Sequence, residues 1–401
     1  MTLPEMNSKA PMPGETGVGM TTIIPLIAAC TIAYLSWTTQ PFQFTVLSDQ
    51  TQFGPVLAGG ILSAEICVAA LVSIIVGFAG GIRVTRSVLL GGTLLCLMGA
   101  AIVPQLTSFG TVLLARLLSG VGEGLLIAAV NIAVAGLENP EKRYGQINGI
   151  LNLLSFGVVW GTPIAISYIG GPRPVYVVIA IATIILGLIA TLYRTSPFQN
   201  RPSQQSKGIG GWRGWTICGA VLVFAAAVGS FYPVTETLGK SAGINDSSLD
   251  IALSLAFIGA ILGSYWAAWV DKRVGQLGGA IFAAAGAAVA VATLVHARQG
   301  IVFSAGMFAF GAFWFQAYTS CLGFAADLDA KGGCAAACGG AFFLGGGLGP
   351  VIGGYEFDWG KGYYGIFTWA VCAQMLAFLL LRWIAQRKVL ATEPLANIHG
   401  Q

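Results

Sequence analysis

Three ionisable residues, Glu65, Arg116 and Glu123, stand inside long apolar stretches of the 401-residue sequence. On a helix, Arg116 and Glu123 would share one face, two turns and about 10 Å apart. An ionisable side chain at the centre of a bilayer is costly unless it is paired or hydrated, so each residue is a functional candidate. Removal from water favours the protonated acid, whereas a nearby arginine favours the carboxylate. The three residues are therefore predicted to couple the protein to proton binding and release.

The sequence leaves the roles of the two carboxylates open. In one assignment Glu123, the closer of the two to an arginine along the chain, is a permanent counter-ion of Arg116, and Glu65 titrates. In another, both glutamates exchange protons as the molecule changes conformation. A purely structural alternative is a fixed ion pair or a hydrogen bond that orders the helices.

Other polar and aromatic residues indicate where a substrate would bind. Steps of three and four residues align Arg116, Gly120, Glu123 and Asn131 on one helix face, and Asn148, Asn152, Ser155 and Thr162 on another. Aromatic side chains suit a hydrophobic or aromatic ligand, although interfacial placement or helix–helix bonding are alternatives. The predicted substrate-binding residues are Arg116, Tyr34, Trp37, Asn131, Asn152, Trp314, Gln316 and Tyr318.

Composition identifies the elements that must position these residues. Hydrophobic residues make up 56% of the chain, charged residues 9%, and the mean hydropathy is +0.78, which excludes an ordinary soluble protein. Apolar runs long enough to cross a bilayer as helices recur along the sequence. Twelve transmembrane helices are predicted, over 20–42, 54–79, 86–105, 108–137, 143–170, 174–193, 214–237, 249–270, 276–297, 300–326, 332–355 and 363–386.

A polar stretch rich in Gln, Ser, Pro and Gly divides these spans into two groups of six. The predicted segments are a disordered tail at 1–19, a six-helix bundle at 20–193, a cytoplasmic linker at 194–213, a second bundle at 214–387 and a cytoplasmic tail at 388–401. Fifteen lysines and arginines fall on the linker side of the spans and four on the other side. This bias predicts that both termini are cytoplasmic.

The two groups of spans resemble each other, which indicates an internal duplication. The loop GGIRVTR (80–86) corresponds to VDKRVGQ (270–276), so that two arginines, Arg83 and Arg273, occupy matching places. GTPIAISY in the fifth span and GPVIGGY in the eleventh share a proline and a tyrosine five residues apart. The sequence thus predicts two pseudo-symmetric halves.

Three motifs resemble those of the major facilitator superfamily. AWVDKRVGQ (268–276) is similar to that family's acidic–basic–glycine loop motif, whose first-half copy is reduced here to Gly77, Arg83 and Arg86. RLLSGVGEG (116–124) resembles its arginine-and-glycine motif, and GGGLGPVIGG (345–354) resembles the glycine–proline core of its drug–proton antiporters. The resemblance implies a conformational or gating role for Gly77, Arg83, Arg86, Asp271, Lys272, Arg273, Gly349 and Pro350.

This resemblance implies a twelve-helix, all-α integral membrane protein of the inner (plasma) membrane, and a monomer. Its expected function is secondary active transport of a small hydrophobic or aromatic organic compound, coupled to protons and directed outward by antiport. One alternative is a proton symporter that imports an organic or aromatic acid. An alternative of another class is a ligand sensor without transport.

The sequence lacks the residue patterns that mark metal binding, nucleotide binding or catalysis. The eight cysteines fall almost entirely in apolar segments, and Cys334 and Cys338, one helical turn apart, have no neighbouring histidine to complete a metal site. The histidines, His296 and His399, stand far from such groups, and no phosphate-binding glycine loop or nucleophile motif occurs. We therefore expect no metal, no cofactor, no nucleic-acid partner and no enzymatic activity; the expected partners are a small-molecule substrate, protons and the lipid bilayer.

Overall fold

The computed structural model describes residues 20–50, 53–78, 82, 84–105, 108–135, 137, 140–170, 173–193, 211–328, 333–358, 365, 368–377 and 379–383. The predicted tails at 1–19 and 388–401, most of the predicted linker and Arg83 lie outside these residues. All regular structure within them is helical. The helices are α1 Met20–Thr38, α2 Gln40–Thr45, α3 Gly54–Phe78, α4 Arg86–Ile102, α5 Phe109–Ala135, α6 Pro140–Ile169, α7 Arg173–Ala190, α8 Gly211–Phe231, α9 Thr235–Ser241, α10 Asp246–His296, α11 Gly300–Leu328, α12 Gly333–Asp358 and α13 Thr368–Trp383.

Each of the twelve predicted spans corresponds to a helix or a bent helix pair. In the described part of the chain, eight helices are long and apolar enough to cross a membrane, and α1 with α2 makes a ninth span. Helix α10 runs for 51 residues and contains two of the predicted spans. Helices α7 and α13 are apolar but shorter. The prediction of an all-α membrane protein is confirmed.

The first span bends by 40° between α1 and α2. Thr39 has non-helical torsions (φ −97°, ψ 7°), and Pro41 follows in the first turn of α2, where a proline without an amide hydrogen is tolerated. A side-chain hydrogen bond from Thr39 Oγ1 to the Leu35 carbonyl supports the bend. The bend changes the direction in which the polar residues of α2 project.

Helix α10 is interrupted at Gly275, whose φ of 77° and ψ of 156° suit only glycine. The interruption falls in the loop motif predicted between the eighth and ninth spans. Beside it, Ser320 Oγ of α11 donates to Asp271 Oδ1 at 2.8 Å, and the Arg273 guanidinium lies 3.6 Å from the centroid of the Trp269 ring. The Ser320–Asp271 hydrogen bond thus joins α11 to α10 next to the interruption.

Glycines bring the helices close together. At Gly120 and Gly124 of α5, an added Cβ would collide with the backbone of Glu65 and Ala69 of α3. In the second half, Gly259 of α10 lies against the α11 backbone in the same way. Small residues allow such close approach between membrane helices. Corresponding helices of the two halves therefore pack in the same way, with a glycine of one helix against the backbone of the next.

A long seam between α3 and α12 joins the two halves, defined here as α1–α7 and α8–α13. The helices run antiparallel, because Gly354 packs at Pro55 and Gly340 packs at Ile74. Within this seam the Val351 amide donates to Ser63 Oγ at 2.9 Å. The site residues on α1, α3, α5, α11 and α12 all lie near this seam.

Candidate functional site

A buried ion pair between Arg116 of α5 and Glu65 of α3 forms the centre of the site. The side chains are 1% and 0% exposed, respectively. Gly120 explains why they meet: one turn beyond Arg116, it lets the α5 backbone rest on the backbone of Glu65. Each charge thus has an opposite charge beside it away from water.

The bent first span completes this network with two uncharged side chains. Ser36 Oγ donates to Glu65 Oε2 at 2.8 Å and accepts from Arg116 Nη2. Arg116 Nη2 also donates to Gln43 Oε1 at 2.6 Å. The Gln43 amide in turn donates to the Ser36 carbonyl at 2.9 Å and to Thr39 Oγ1 at 2.7 Å. Because the bend brings Gln43 back towards α1, the ion pair is tied to α1 and α2 as well as to α3 and α5.

Glu123 is the second carboxyl of the network. Its side chain is 3% exposed and lies near enough to Glu65 and Arg116 to interact electrostatically with both. The assignment of Glu123 as the permanent counter-ion of Arg116 is therefore wrong, because the ion pair is made by Glu65. The reason is packing: Glu123 is two turns away along α5, whereas α3 lies alongside. One buried cation is shared between two buried carboxyls.

An aromatic cluster lies next to this network and crosses between the halves. Trp37 of α1 is stacked on Phe342 of α12, with ring centroids 5.2 Å apart and planes inclined by 11°. Tyr318 of α11 is stacked on the same Phe342 ring at 4.1 Å, and Trp314 lies 6.2 Å from Trp37. Tyr34 meets Phe343 edge to face at 4.9 Å. The structure thus brings four of the predicted substrate residues, Tyr34, Trp37, Trp314 and Tyr318, into one cluster.

Glycine and a tyrosine fix the position of Trp37. An added Cβ at Gly346 would overlap the Trp37 ring, so the glycine makes room for the indole. The Tyr232 hydroxyl of the second half donates to the Thr38 carbonyl at 2.7 Å, next to Trp37 in the chain. The indole nitrogens of Trp37 and Trp314 are buried without a hydrogen-bond partner among the described residues. The cluster therefore offers aromatic faces together with unused donors.

A small cavity borders the aromatic cluster inside the second half. It has a volume of about 10 Å³ and is lined by residues of α8, α10, α11, α12 and α13, among them Tyr318, Cys321 and Phe342. That is at the lower limit of the space that holds one water molecule.

Of the other predicted substrate residues, Asn131 borders the aromatic cluster. An added Cβ at Gly339 of α12 would lie 3.3 Å from Asn131 Nδ2 and 3.9 Å from the Tyr318 hydroxyl, and the Asn131 backbone carbonyl accepts from the Tyr144 hydroxyl at 3.4 Å. Asn152 of α6 is fully buried; its amide donates to the Asn148 carbonyl at 2.8 Å, and its Oδ1 has no partner in the described chain. Gln316 belongs to the stripe of α11 that packs on α10, between Ala312 and Ser320, rather than to the aromatic stripe. The structure does not bring Gln316 to the aromatic cluster.

The predicted gating residues are spread over three places. Gly77 lies in the last turn of α3, and Arg86 is exposed at the start of α4. Lys272 and Arg273 are exposed beside Asp271 at the interruption of α10. Pro350 lies at the seam, where its carbonyl rests against Gly59 of α3. Gly349 faces α8 of its own half, and an added Cβ there would collide with Gly229.

Sequence reasoning missed four residues that complete the site: Ser36, Gln43, Phe342 and Phe343. The signal for Gln43 was the polar run TTQPFQ (38–43) at the end of an apolar span. Ser36 carries no signal, since serine is common in membrane helices. The two phenylalanines are the aromatic residues of a stretch rich in Gly and Ala (332–354), which distinguishes them from the small residues used for close helix packing.

Comparison with known proteins identifies the family to which the fold belongs. The Major Facilitator Superfamily model matches residues 26–354. No curated protein matches the chain in sequence. The solved structures it resembles include the E. coli fucose:proton symporter FucP, with a TM-score of 0.63, 15% identity, and coverage of 90% of this chain and 98% of that chain.

Two further structures are similar over nearly the full chain. The nucleoside transporter NupG has a TM-score of 0.69 and 13% identity, with 91% of this chain and 100% of that chain covered. The human organic anion transporter MFSD10 has a TM-score of 0.66 and 15% identity, with 90% and 99% covered. At such identities the likeness shows the fold alone, but the family model spans most of the chain. The chain belongs to the Major Facilitator Superfamily and is a multi-pass membrane transporter rather than an enzyme.

Proposed function

We propose that this transporter is coupled to protons and exports a small hydrophobic or aromatic organic compound by antiport, through alternating access. Transporters of this family bind small-molecule substrates and typically work as single chains. We further propose that it resides in the inner (plasma) membrane with both termini in the cytoplasm. The observation that carries the proposal is the buried network of two carboxyls and one guanidinium next to the aromatic cluster.

Charge balance supports proton coupling. Arg116 neutralises one of the two carboxyls, so the network is electrically neutral only when the other carboxyl holds a proton. An uncompensated charge in a dry interior is very costly. Because Arg116 is already paired with Glu65, Glu123 is the carboxyl that takes up the proton. Release then requires a conformation that admits water to Glu123.

Helix α1 connects the proton-binding network physically to the aromatic cluster that would bind the substrate. Ser36 is bonded to both Glu65 and Arg116, and the next residue, Trp37, belongs to the aromatic cluster. A substrate that separates Trp37 from Phe342 must displace this part of α1 and with it the hydroxyl of Ser36. Binding of the substrate and the charge state of the network are therefore coupled through one helical segment.

The pairing of Arg116 supports antiport over symport of an acid. In this conformation the charge of the guanidinium is matched by Glu65, and its Nη2 atom also donates to Ser36 and Gln43, while Nε has no hydrogen-bond partner among the described residues. Symport remains the second candidate, because protonation of Glu65 would release Arg116 to bind an organic or aromatic acid. One structure of similar fold is described as a fucose:proton symporter.

Proton flux in sealed proteoliposomes tests the proposal. Aromatic acids, hydrophobic cations and neutral sugars are added outside vesicles that contain a pH-sensitive dye, with Glu123→Gln as the variant and Asp246→Asn, an exposed acid of α10, as the matched control. Antiport makes the interior more alkaline as substrate enters, and symport makes it more acidic. We expect alkalinisation with the native protein and with Asp246→Asn, and its loss with Glu123→Gln.

Other results would replace the proposal. Transport of a probe without a pH change would exclude proton coupling. Acidification that depends on Glu123 would show that the protein is a symporter and not an antiporter. Saturable binding of a probe without flux would favour a ligand sensor, the alternative of another class.

A further inference from the structure

A groove lies between the second segment of α10 and α11, away from the seam. It has a volume of about 380 Å³ and is lined by Gly286, Val289, Ala290, Thr293, Ile301, Val302, Ala305, Gly306, Ala309 and Phe313. Small residues form its walls and the Phe313 ring forms part of its lining. The groove faces outward, since Val289 and Ile301 at its edges are 67% and 78% exposed.

The lining offers no polar group to a ligand. Thr293 is the one hydroxyl-bearing residue in the groove, and its Oγ1 donates to the Val289 carbonyl at 3.0 Å. All other lining groups are alkyl, aromatic or glycine. An occupant of the groove can therefore gain only from burial of apolar surface, as a hydrocarbon chain does.

One end of the groove carries positive charge. The two helical segments run antiparallel, with Leu294 packed on Gly306 and Gly286 on Phe313, so the connecting turn at 297–299 closes this end. The turn itself carries Arg298 and His296, both exposed, and Gly300 beyond it packs on Ser248, two residues from the exposed Asp246 of the first segment of α10. A guanidinium donates to phosphate oxygens, often through two parallel hydrogen bonds.

We propose that this groove is a binding site for an anionic phospholipid, with one acyl chain between the two helical segments and the phosphate at Arg298. The pattern of a hydrocarbon-lined slot that ends at an arginine matches the two chemical parts of such a lipid. A net-negative headgroup is favoured over a zwitterionic one because the turn supplies the Arg298 guanidinium at this position. The site is independent of the proposed proton and substrate chemistry.

Native mass spectrometry of the full chain released from nanodiscs tests the site. The nanodiscs contain phosphatidylglycerol and phosphatidylethanolamine in equal amounts. We expect the native protein to retain phosphatidylglycerol preferentially. Arg298→Gln should lower its retention roughly fivefold, the usual effect of one basic side chain at an anionic lipid surface. Ala305→Phe, which fills the groove from an exposed position, should lower retention of both lipids.

Matched substitutions elsewhere on the lipid-facing surface serve as controls. Arg382→Gln removes an exposed arginine at the end of α13, and Ala101→Phe adds a ring at an exposed position of α4. Both should behave as the native protein does. Equal retention of the two lipids by the native protein, or equal losses in Arg298→Gln and Arg382→Gln, would overturn the proposal. Because all four positions are exposed, unchanged unfolding temperatures would show that each variant is folded.

Discussion

At the scale of single residues, the partner of Arg116 decides the roles of the two glutamates. Sequence distance suggested Glu123, but the residue that reaches the guanidinium is Glu65, from the neighbouring helix. The identity of the charged residues could be predicted from the sequence, because charge in an apolar run is conspicuous. Their pairing could not, since it depends on which helix the glycines of α5 allow to lie alongside.

Removal of Arg116 should destabilise the protein more than removal of the whole pair. Arg116→Met leaves Glu65 and Glu123 buried without a cation, and breaking a buried pair typically costs about 3–5 kcal/mol. Adding Glu65→Gln removes the unpaired charge and should restore much of the lost stability. Thermal unfolding in detergent of both single variants and the double variant measures this coupling; additive losses would contradict it.

At the scale of helices, the spans were predictable and their irregularities only partly so. The length of an apolar run is a property of the sequence alone, so all twelve spans could be placed. Pro41 follows the bend in the first span, and Gly275 lies at the interruption of α10, within the motif that separates the eighth and ninth predicted spans. That the bend brings Gln43 to Arg116 could not be read from the sequence, because it depends on the direction in which α2 leaves α1.

Glycines at helix contacts should tolerate alanine less well than glycines on open faces. At Gly349 an added Cβ would collide with the backbone of Gly229, so Gly349→Ala should cost roughly 1–3 kcal/mol through overpacking. Gly157→Ala is the matched control, because nothing lies within 4 Å of an added Cβ there. Unfolding temperatures of the two variants compare them directly. A Gly349→Ala protein as stable as Gly157→Ala would show that α8 and α12 adjust freely.

At the scale of the whole molecule, the halves meet at several places. They pack along the α3–α12 seam and between α6 and α10, where Gly149 lies against the Tyr265 ring, and they meet again at the end where α2 lies near α9. There the Thr45 hydroxyl of the first half donates to Glu236 Oε2 of the second half at 3.1 Å. The duplicated architecture could be predicted from paired motifs, whereas this contact could not, because the two halves have diverged at these positions.

A covalent link at this end should stop transport. Thr45→Cys combined with Glu236→Cys places one thiol on each half, and a short bis-methanethiosulfonate reagent can join them. If the halves must separate here, the linked protein should lose nearly all substrate flux in proteoliposomes and regain it on reduction. Each single variant treated with the same reagent is the control. Undiminished flux in the linked protein would mean that this end stays closed throughout the cycle.

The unequal chemistry of the halves has a consequence for how such a protein evolves. All three ionisable groups of the buried network belong to α3 and α5, whereas Trp314, Tyr318 and Phe342 belong to α11 and α12. Under the proposed mechanism, the first copy thus supplies the proton-binding groups, and the second copy supplies most of the aromatic surface, which Tyr34 and Trp37 complete from α1. Mutations in the second copy should then broaden or narrow the range of compounds that are recognised while the ionisable residues of the first copy stay intact. Variant libraries confined to α11 and α12 are accordingly the shortest route to altered selectivity.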